Sequence, residues 1–158
     1  MLMKPYTRTG DAGETNLIGQ RTKKTDEKII CIGSIDETAA AISMARTELE
    51  DMEMTELLVR IERKLSKIAG MIAGSSDTIQ EEEIKKIEEA IDKYYIEKDK
   101  FMRPQTEEGA LLSFARAVCR RAEINTIKIG AQENILKYMN RLSDLLFAMS
   151  VYYDEKLS

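Results

Sequence analysis

The sequence contains no histidine. Ser-His-Asp triads and Cys-His pairs use histidine as a base, and helical two-histidine zinc sites and many haem sites use it as a ligand. All of these sites are therefore excluded. Any chemistry must rely on carboxylates, lysine, arginine, hydroxyls, cysteine, tyrosine, backbone amides or a cofactor.

Cysteine is nearly as scarce, since only Cys31 and Cys119 occur in 158 residues. Two distant cysteines are too few for a disulfide framework or a zinc site. Both fall in segments whose apolar residues recur at helical spacing. We therefore expect two buried free thiols in a reducing compartment.

Long apolar runs and a basic surplus are also missing. No stretch approaches the roughly 18 apolar residues of a membrane span, and residues 1–5 lack the apolar region of a signal peptide. The 24 basic and 28 acidic residues give a net charge of −4. This balance argues against a general nucleic-acid or anionic-membrane binder, although a local basic patch remains possible. We expect a soluble cytoplasmic protein.

The 43% of hydrophobic residues is enough for a substantial core, and the length suits one domain over residues 1–158. Apolar residues spaced by about 3.6 predict five helices. The expected ranges are 26–50, 55–73 with Thr55 as N-cap, 80–95, 107–129 and 132–153. Because strand-like alternation is nearly absent, the sequence predicts an all-α antiparallel five-helix bundle over residues 26–158, after an irregular polar segment at residues 1–25.

That polar N-terminal segment carries a candidate phosphate site. Gly10 and Gly13 permit the positive φ angles that turn successive amides toward one point, and Arg8 adds charge. Asp11 could hold Mg²⁺, which accompanies polyphosphates. The pattern is neither a P-loop nor a dinucleotide fingerprint, so a flexible glycine-rich terminus is an alternative. The basic run at residues 20–24 is either a solvated loop or the source of a lysine over the same phosphates.

The fourth predicted helix carries a charged ridge. Arg116, Arg120 and Glu123 share one face, with Arg121 one step aside. Two guanidinium groups on one ridge can clamp an anion, and Glu123 could orient Arg120. An exposed charged face without a ligand is the alternative.

The fifth predicted helix has a second, unusual face. Asn140 and Asp144 fall opposite its apolar stripe, and Phe147 lies on the same side. Asparagine is a poor residue for the middle of a helix unless it has a partner. This face therefore either contacts solvent or packs against another chain.

Four segments together resemble one family. They are TRTGDAGET at residues 7–15, GSIDE at 33–37, ARAVCRRAE at 115–123 and NRLSD at 140–144. In this order and near these spacings, they resemble PduO-type corrinoid adenosyltransferases, the ATP:cob(I)alamin adenosyltransferases. The resemblance extends from about Tyr6 to Phe147, and four separated motifs are far more specific than one.

The resemblance implies a fold of the ferritin-like, cobalamin adenosyltransferase type, assembled as a homotrimer with active sites between subunits. It also implies transfer of the 5′-deoxyadenosyl group of ATP to the cobalt of cob(I)alamin or a related corrinoid, with release of triphosphate. ATP and the corrinoid are then substrates, Mg²⁺ accompanies ATP, and a separate reductase supplies electrons.

The resemblance also implies roles for individual residues. Phe101 would close the lower face of the corrin ring and act in catalysis with Arg120 and Asn140. Asp36 and Arg116 would form a salt bridge between subunits. The residues implied to bind ATP are Thr7, Arg8, Thr9, Gly10, Asp11, Gly13, Thr15, Lys24, Arg120, Glu123 and Asn140.

Two other functions remain open from the residues alone. An oligomeric helical module that binds partners through its charged faces would bind no ATP. An ATP hydrolase on the same bundle would release phosphate without a corrinoid.

Overall fold

The computed structural model describes residues 4–98 and 103–157. It contains five helices and confirms the predicted bundle. A short antiparallel hairpin precedes the helices. Its strands are β1 (Glu14–Leu17) and β2 (Gln20–Lys23), and the helices are α1 (Glu27–Arg46), α2 (Met52–Ile72), α3 (Glu81–Tyr94), α4 (Glu107–Lys128) and α5 (Glu133–Leu157).

The hairpin corrects the expectation of an irregular segment at residues 1–25, which we call the leader. In the hairpin, Leu17 pairs with Gln20 across a two-residue turn. Gly19 at φ +80° provides the left-handed conformation of that turn. The amide of Ile18 donates to the carbonyl of Ala73, 2.9 Å away, just beyond the end of α2. Two polar strands of four residues are too short to show a clear alternation.

The start of α2 is a second correction. Its N-cap is Asp51, whose carboxylate accepts a hydrogen bond from the amide of Met54 at 3.0 Å. The predicted cap, Thr55, lies inside the helix, where its hydroxyl is buried and has no hydrogen-bond partner in the described part of the chain. The charged Asp51 satisfies the free amides of the first turn and also interacts favourably with the helix dipole.

The core lies between the apolar stripes of all five helices. α5 packs against α3 and α4, while α1 packs against α2 and α4. Both cysteines are buried free thiols, which confirms that prediction, and burial raises the pKa of Cys31 to about 11. Large side chains with less than 2% exposure include Leu58, Leu65, Ile68, Leu112, Met139 and Leu142. Across the described residues, no helix combines the length and apolar character needed to span a bilayer.

The end of α5 fixes the beginning of α4. The carboxylate of Asp154 accepts hydrogen bonds from the Gln105 amide, the Thr106 amide and the Thr106 hydroxyl, the last at 2.7 Å. This close approach requires glycine at position 109, because a Cβ there would lie 2.2 Å from Asp154 Oδ1.

An ion-pair cluster joins α2 to α3. Lys64 Nζ lies 2.8 Å and Lys67 Nζ 3.5 Å from the same oxygen of Glu83. Burial opposes ionisation of Glu83, but the two ammonium groups outweigh it and hold its pKa below the ordinary value.

Replacing Gly109 with alanine should destabilise the fold. We expect Gly109→Ala to lower the free energy of unfolding by about 1–3 kcal/mol, because the new Cβ displaces the Asp154 carboxylate. The matched control is Gly70→Ala in α2, where a Cβ meets nothing within 4 Å. Gly70→Ala should raise the free energy of unfolding by about 0.5–1 kcal/mol. Urea unfolding at fixed protein concentration measures both, and equal effects would contradict the assigned contact.

The Glu83 cluster should make stability depend on pH. A carboxylate whose pKa is lower in the folded state than in the unfolded state stabilises the fold at pH values above its ordinary pKa. This stabilisation is lost as the pH falls through the pKa of the folded state. We therefore expect Glu83→Gln to cost about 1–2 kcal/mol at pH 7. The difference in unfolding free energy between this variant and the wild type should become smaller as the pH falls below the ordinary pKa of 4.5.

Glu82→Gln is the control for the Glu83 variant, because Glu82 lies in the same helical turn and has no ion pair among the described residues. Thermal unfolding of both variants between pH 3 and 7 measures the effect. A loss of stability in Glu83→Gln that does not change with pH would contradict the assignment, and so would an equal loss in Glu82→Gln.

Candidate active site

The leader encloses a cavity of about 340 Å³. It brings together all but one of the ATP-site residues predicted between positions 7 and 24. The predicted residues that line it are Thr7, Arg8, Thr9, Gly10, Asp11, Thr15 and Lys24. The exception is Gly13, which adopts φ +83° and accepts the Lys24 amide on its carbonyl at 2.8 Å. The glycine thus shapes the loop around the cavity.

The backbone of the leader presents free donors at this cavity. Arg8 adopts the left-handed conformation, with φ +67°, and its carbonyl accepts the amide of Asp11 at 3.2 Å. The amides of Thr9 and Gly10 donate to no acceptor among the described residues. Adjacent amides in such a turn form an anion-binding concavity.

Two cations at the cavity have no counter-ion. The guanidinium of Arg8 lies 5.7 Å from the centre of the Tyr6 ring, and the Lys24 side chain passes close to Gly10. A Cβ on Gly10 would lie 2.9 Å from Lys24 Nζ, so glycine makes room for the lysine. Neither Arg8 nor Lys24 forms an ion pair with a described residue. Free amides together with uncompensated cations suit a polyphosphate.

The cavity also fits a magnesium ion that accompanies a polyphosphate. The carboxylate of Asp11 lines the cavity and has no ion pair with a described residue, whereas Glu14 pairs with Arg21 at 3.3 Å. Mg²⁺ is commonly held by one or two carboxylates together with substrate phosphates and water. Asp11 meets that requirement. No cluster of three or more acidic or cysteine ligands occurs within residues 4–98 and 103–157.

The predicted ridge lies on α4, with part of α5 beside it. Arg120 is exposed and Glu123 is half-buried. Burial raises the pKa of Glu123, the Arg120 charge opposes this, and Asp144 of α5 raises the pKa further. These interactions place the three charges in one neighbourhood. Glu123 and Arg120 are nevertheless not within ion-pair distance of each other, so the predicted orienting contact is electrostatic only.

The other predicted site residues on α4 and α5 are Arg116, which is half-buried, and Asn140. Asn140 is exposed on α5, one turn before Asp144. The guanidinium of Arg116 lies 5.6 Å from the centre of the Phe147 ring. Neither Arg116 nor Asp36 has an ion partner in the described part of the chain. The chain does not by itself bring Asp36 and Arg116 together, and the cross-subunit bridge stays a prediction.

The leader and the ridge are separate groups of residues in the single chain. Every residue that lines the leader cavity lies between positions 5 and 24, and none belongs to α4 or α5. Several large apolar side chains are exposed on the helices that carry the ridge and on α1. They are Ile30, Met44, Phe114, Ile124, Ile127 and Phe147.

Phe101 lies outside the described residues. Arg21, which the sequence shows only as part of a basic run, lines the cavity and contacts three leader residues. The strand register that creates these contacts could not be read from the sequence.

Comparisons with known proteins identify the family of this chain. A family model described as Cobalamin adenosyltransferase matches residues 5–153. The corrinoid adenosyltransferase PduO of Salmonella typhimurium is 35% identical over 94% of this chain and 49% of its own length. The corrinoid adenosyltransferase of Bacillus subtilis is 36% identical over 92% of this chain and 84% of its own. The chain thus spans about half the length of the Salmonella relative.

Solved structures of a PduO-type ATP:corrinoid adenosyltransferase from Lactobacillus reuteri are also similar. A variant complexed with cobalamin and ATP has a TM-score of 0.88 and 27% identity, covering 97% of this chain and 93% of that one. Another variant, complexed with ATP, also has a TM-score of 0.88 and 27% identity, and the match covers 96% of this chain and 95% of that one. Since the family model extends over nearly the whole sequence, the chain belongs to the cobalamin adenosyltransferase family.

Proposed function

We propose that this chain is an ATP:corrinoid adenosyltransferase. It transfers the 5′-deoxyadenosyl group of ATP to the cobalt of cob(I)alamin or a related corrinoid and releases triphosphate. The observation that carries the proposal is the leader cavity, where the Thr9 and Gly10 amides and the charges of Arg8 and Lys24 have no partners among the described residues. The family and the ATP and cobalamin complexes of the Lactobacillus protein support it.

The reaction requires no general base from the protein. The cobalt of cob(I)alamin is the nucleophile, a Co–C5′ bond forms, and the bond between C5′ and the triphosphate oxygen breaks with its electron pair passing to triphosphate. The absence of histidine is therefore no obstacle. The protein's task is to hold C5′ in line and to stabilise the charge that grows on the leaving group.

The cations of the leader and the ridge suit this task. Arg8 and Lys24 line the cavity, and Arg120 is exposed without an ion partner in the described chain. We propose that Asp11 holds Mg²⁺, which would supply further positive charge to the phosphates. The other residues proposed to contact ATP are Thr7, Thr9, Gly10, Gly13, Thr15, Glu123 and Asn140.

We propose a homotrimer in which the leader of one subunit faces the ridge of the next. The exposed apolar residues of α1, α4 and α5 support an interface there. Asp36 and Arg116, which lack ion partners in the described chain, would pair across it. Such an arrangement unites the two groups of residues that the single chain leaves apart.

On the corrinoid side, we propose that Phe101 fills the volume below the corrin ring. Excluding the lower ligand would leave a four-coordinate cobalt, which a separate reductase can reduce more easily. The flanking described residues are tied to α5, since Lys98 pairs with Glu155 and the Thr106 hydroxyl donates to Asp154. We also propose a cytoplasmic location, which the two buried free cysteines support.

Anaerobic incubation with Mg-ATP and cob(I)alamin tests the proposed function. We expect the absorbance change of cobalt–carbon bond formation and one triphosphate per adenosylcobalamin. ATP-dependent phosphate release without a corrinoid would indicate a hydrolase. A partner-binding module would show no thermal shift with Mg-ATP, whereas ligand at 100 times its Kd stabilises by about 2.7 kcal/mol.

Arg120 should contribute to the rate. We expect Arg120→Ala to lower kcat/KM at least about tenfold, or roughly 1.4 kcal/mol, because it removes a charge that stabilises the leaving triphosphate. Arg121→Ala is the matched control, since Arg121 is exposed on the same helix and pairs with Glu37. Steady-state transfer measures both, and a control loss equal to that of Arg120→Ala would refute the assignment.

The cross-subunit pair should respond to charge reversal. We expect Asp36→Arg to weaken the trimer and transfer activity, because it places two like charges opposite each other. The double change Asp36→Arg with Arg116→Asp should restore both. Sedimentation velocity and transfer rate are the measurements. An intact, active trimer in the single variant, or no recovery in the double variant, would contradict the pairing.

A further inference from the structure

The hairpin register places Arg21 among polar leader side chains. Arg21 pairs with Asn16 across the two strands, so their side chains project from the same face. Glu14 lies two residues before Asn16 in β1 and shares that face. The opposite face includes Leu17, which is buried. Arg21 therefore points away from the buried side and toward the leader loop.

The guanidinium of Arg21 binds three groups at once. One terminal nitrogen donates to Asn16 Oδ1 at 3.1 Å, and the other donates to the carbonyl oxygen of Thr9. Its Nε lies 3.3 Å from a carboxylate oxygen of Glu14. Because its donors point in fixed directions, a single arginine can hold three acceptors in one arrangement.

The contact with the Thr9 carbonyl determines where a neighbouring amide points. The Thr9 carbonyl and the Gly10 N–H belong to the same planar peptide unit, and the described chain contains no cis peptide bond. In a trans peptide unit, the C=O and the N–H point in opposite directions. When Arg21 holds the carbonyl, the free Gly10 amide is aimed away from Arg21.

We propose that Arg21 is a positioning residue that prepares the leader for the polyphosphate of ATP. This inference rests on the proposed function. Arg21 does not bind phosphate itself, because each of its three nitrogens already contacts an acceptor within the leader and Glu14 balances its charge. Holding the loop in its binding shape before ATP arrives lowers the entropy cost of binding.

Glu14 distinguishes positioning from direct phosphate binding. If Arg21 bound phosphate directly, removing the Glu14 charge would strengthen ATP binding, because less negative charge would remain nearby. If Arg21 positions the loop, Glu14→Gln weakens ATP binding, because the guanidinium loses an anchor. The two roles predict changes of opposite sign in Kd.

The variants for the test are Arg21→Gln, Arg21→Lys and Glu14→Gln, with Arg60→Gln as control. Arg60 is exposed on α2 and has no ion pair among the described residues. We expect the Kd for Mg-ATP, measured by calorimetry, to rise about tenfold in Arg21→Gln. Arg21→Lys should not rescue binding, since a single ammonium nitrogen cannot occupy the three positions from which the guanidinium nitrogens contact their acceptors. Glu14→Gln should raise Kd, and the control should leave it unchanged.

Hydrogen exchange without nucleotide tests the positioning role of Arg21 independently of the proposed function. We expect the hydrogen-bonded amides between residues 11 and 16, such as those of Asp11 and Gly13, to exchange faster in Arg21→Gln than in the wild type and the control, with an unchanged Tm. Unchanged exchange, rescue by Arg21→Lys, or tighter ATP binding in Glu14→Gln would overturn the inference. A wild-type protein that binds ATP but transfers no adenosyl group would instead contradict the proposed function.

Discussion

The proposed activity depends on charges and hydrogen-bond donors of the leader that lack partners among the described residues. The Thr9 and Gly10 amides have no acceptor, and Arg8 and Lys24 have no counter-ion, among the described residues. A polyphosphate supplies both kinds of missing partner in one molecule. Its binding would convert unpaired groups into charge-assisted hydrogen bonds, which are about twice as strong as neutral ones. Glycine at position 10 contributes by leaving room for Lys24.

The second half of the proposed site lies on a rigid support. Arg120 and Glu123 project from α4, and Asp144 from the neighbouring α5. Behind them, Cys119 and Met139 are fully buried, so core packing fixes the helices that carry the charges. In the proposed site, neither half alone contains all the groups assigned to the transfer. A trimer in which leader and ridge meet would explain why the chain leaves apolar and charged residues of α1, α4 and α5 exposed.

The sequence predicted the helices well and the leader less well. Helical spacing identifies five helices because each buries a long apolar stripe. The hairpin escaped prediction because its strands are short and polar. α2 begins at Met52 because the charged Asp51 is a better N-cap than Thr55. Motifs identified the leader residues that line the cavity. The role of Arg21 depends on the strand register, which the sequence does not show. The proposed bridge between Asp36 and Arg116 joins two subunits, so it stays a prediction.

Subunit mixing is the most direct test of the claim that leader and ridge act together between chains. Lys24→Ala would disable one half and Arg120→Ala the other, so each variant alone should be nearly inactive. In a ring of head-to-tail interfaces, random equal mixing would unite an intact leader with an intact ridge at about one quarter of sites. The account predicts recovery to about a quarter of wild-type transfer activity after subunit exchange. Activity no greater than the average of the separate variants would contradict it.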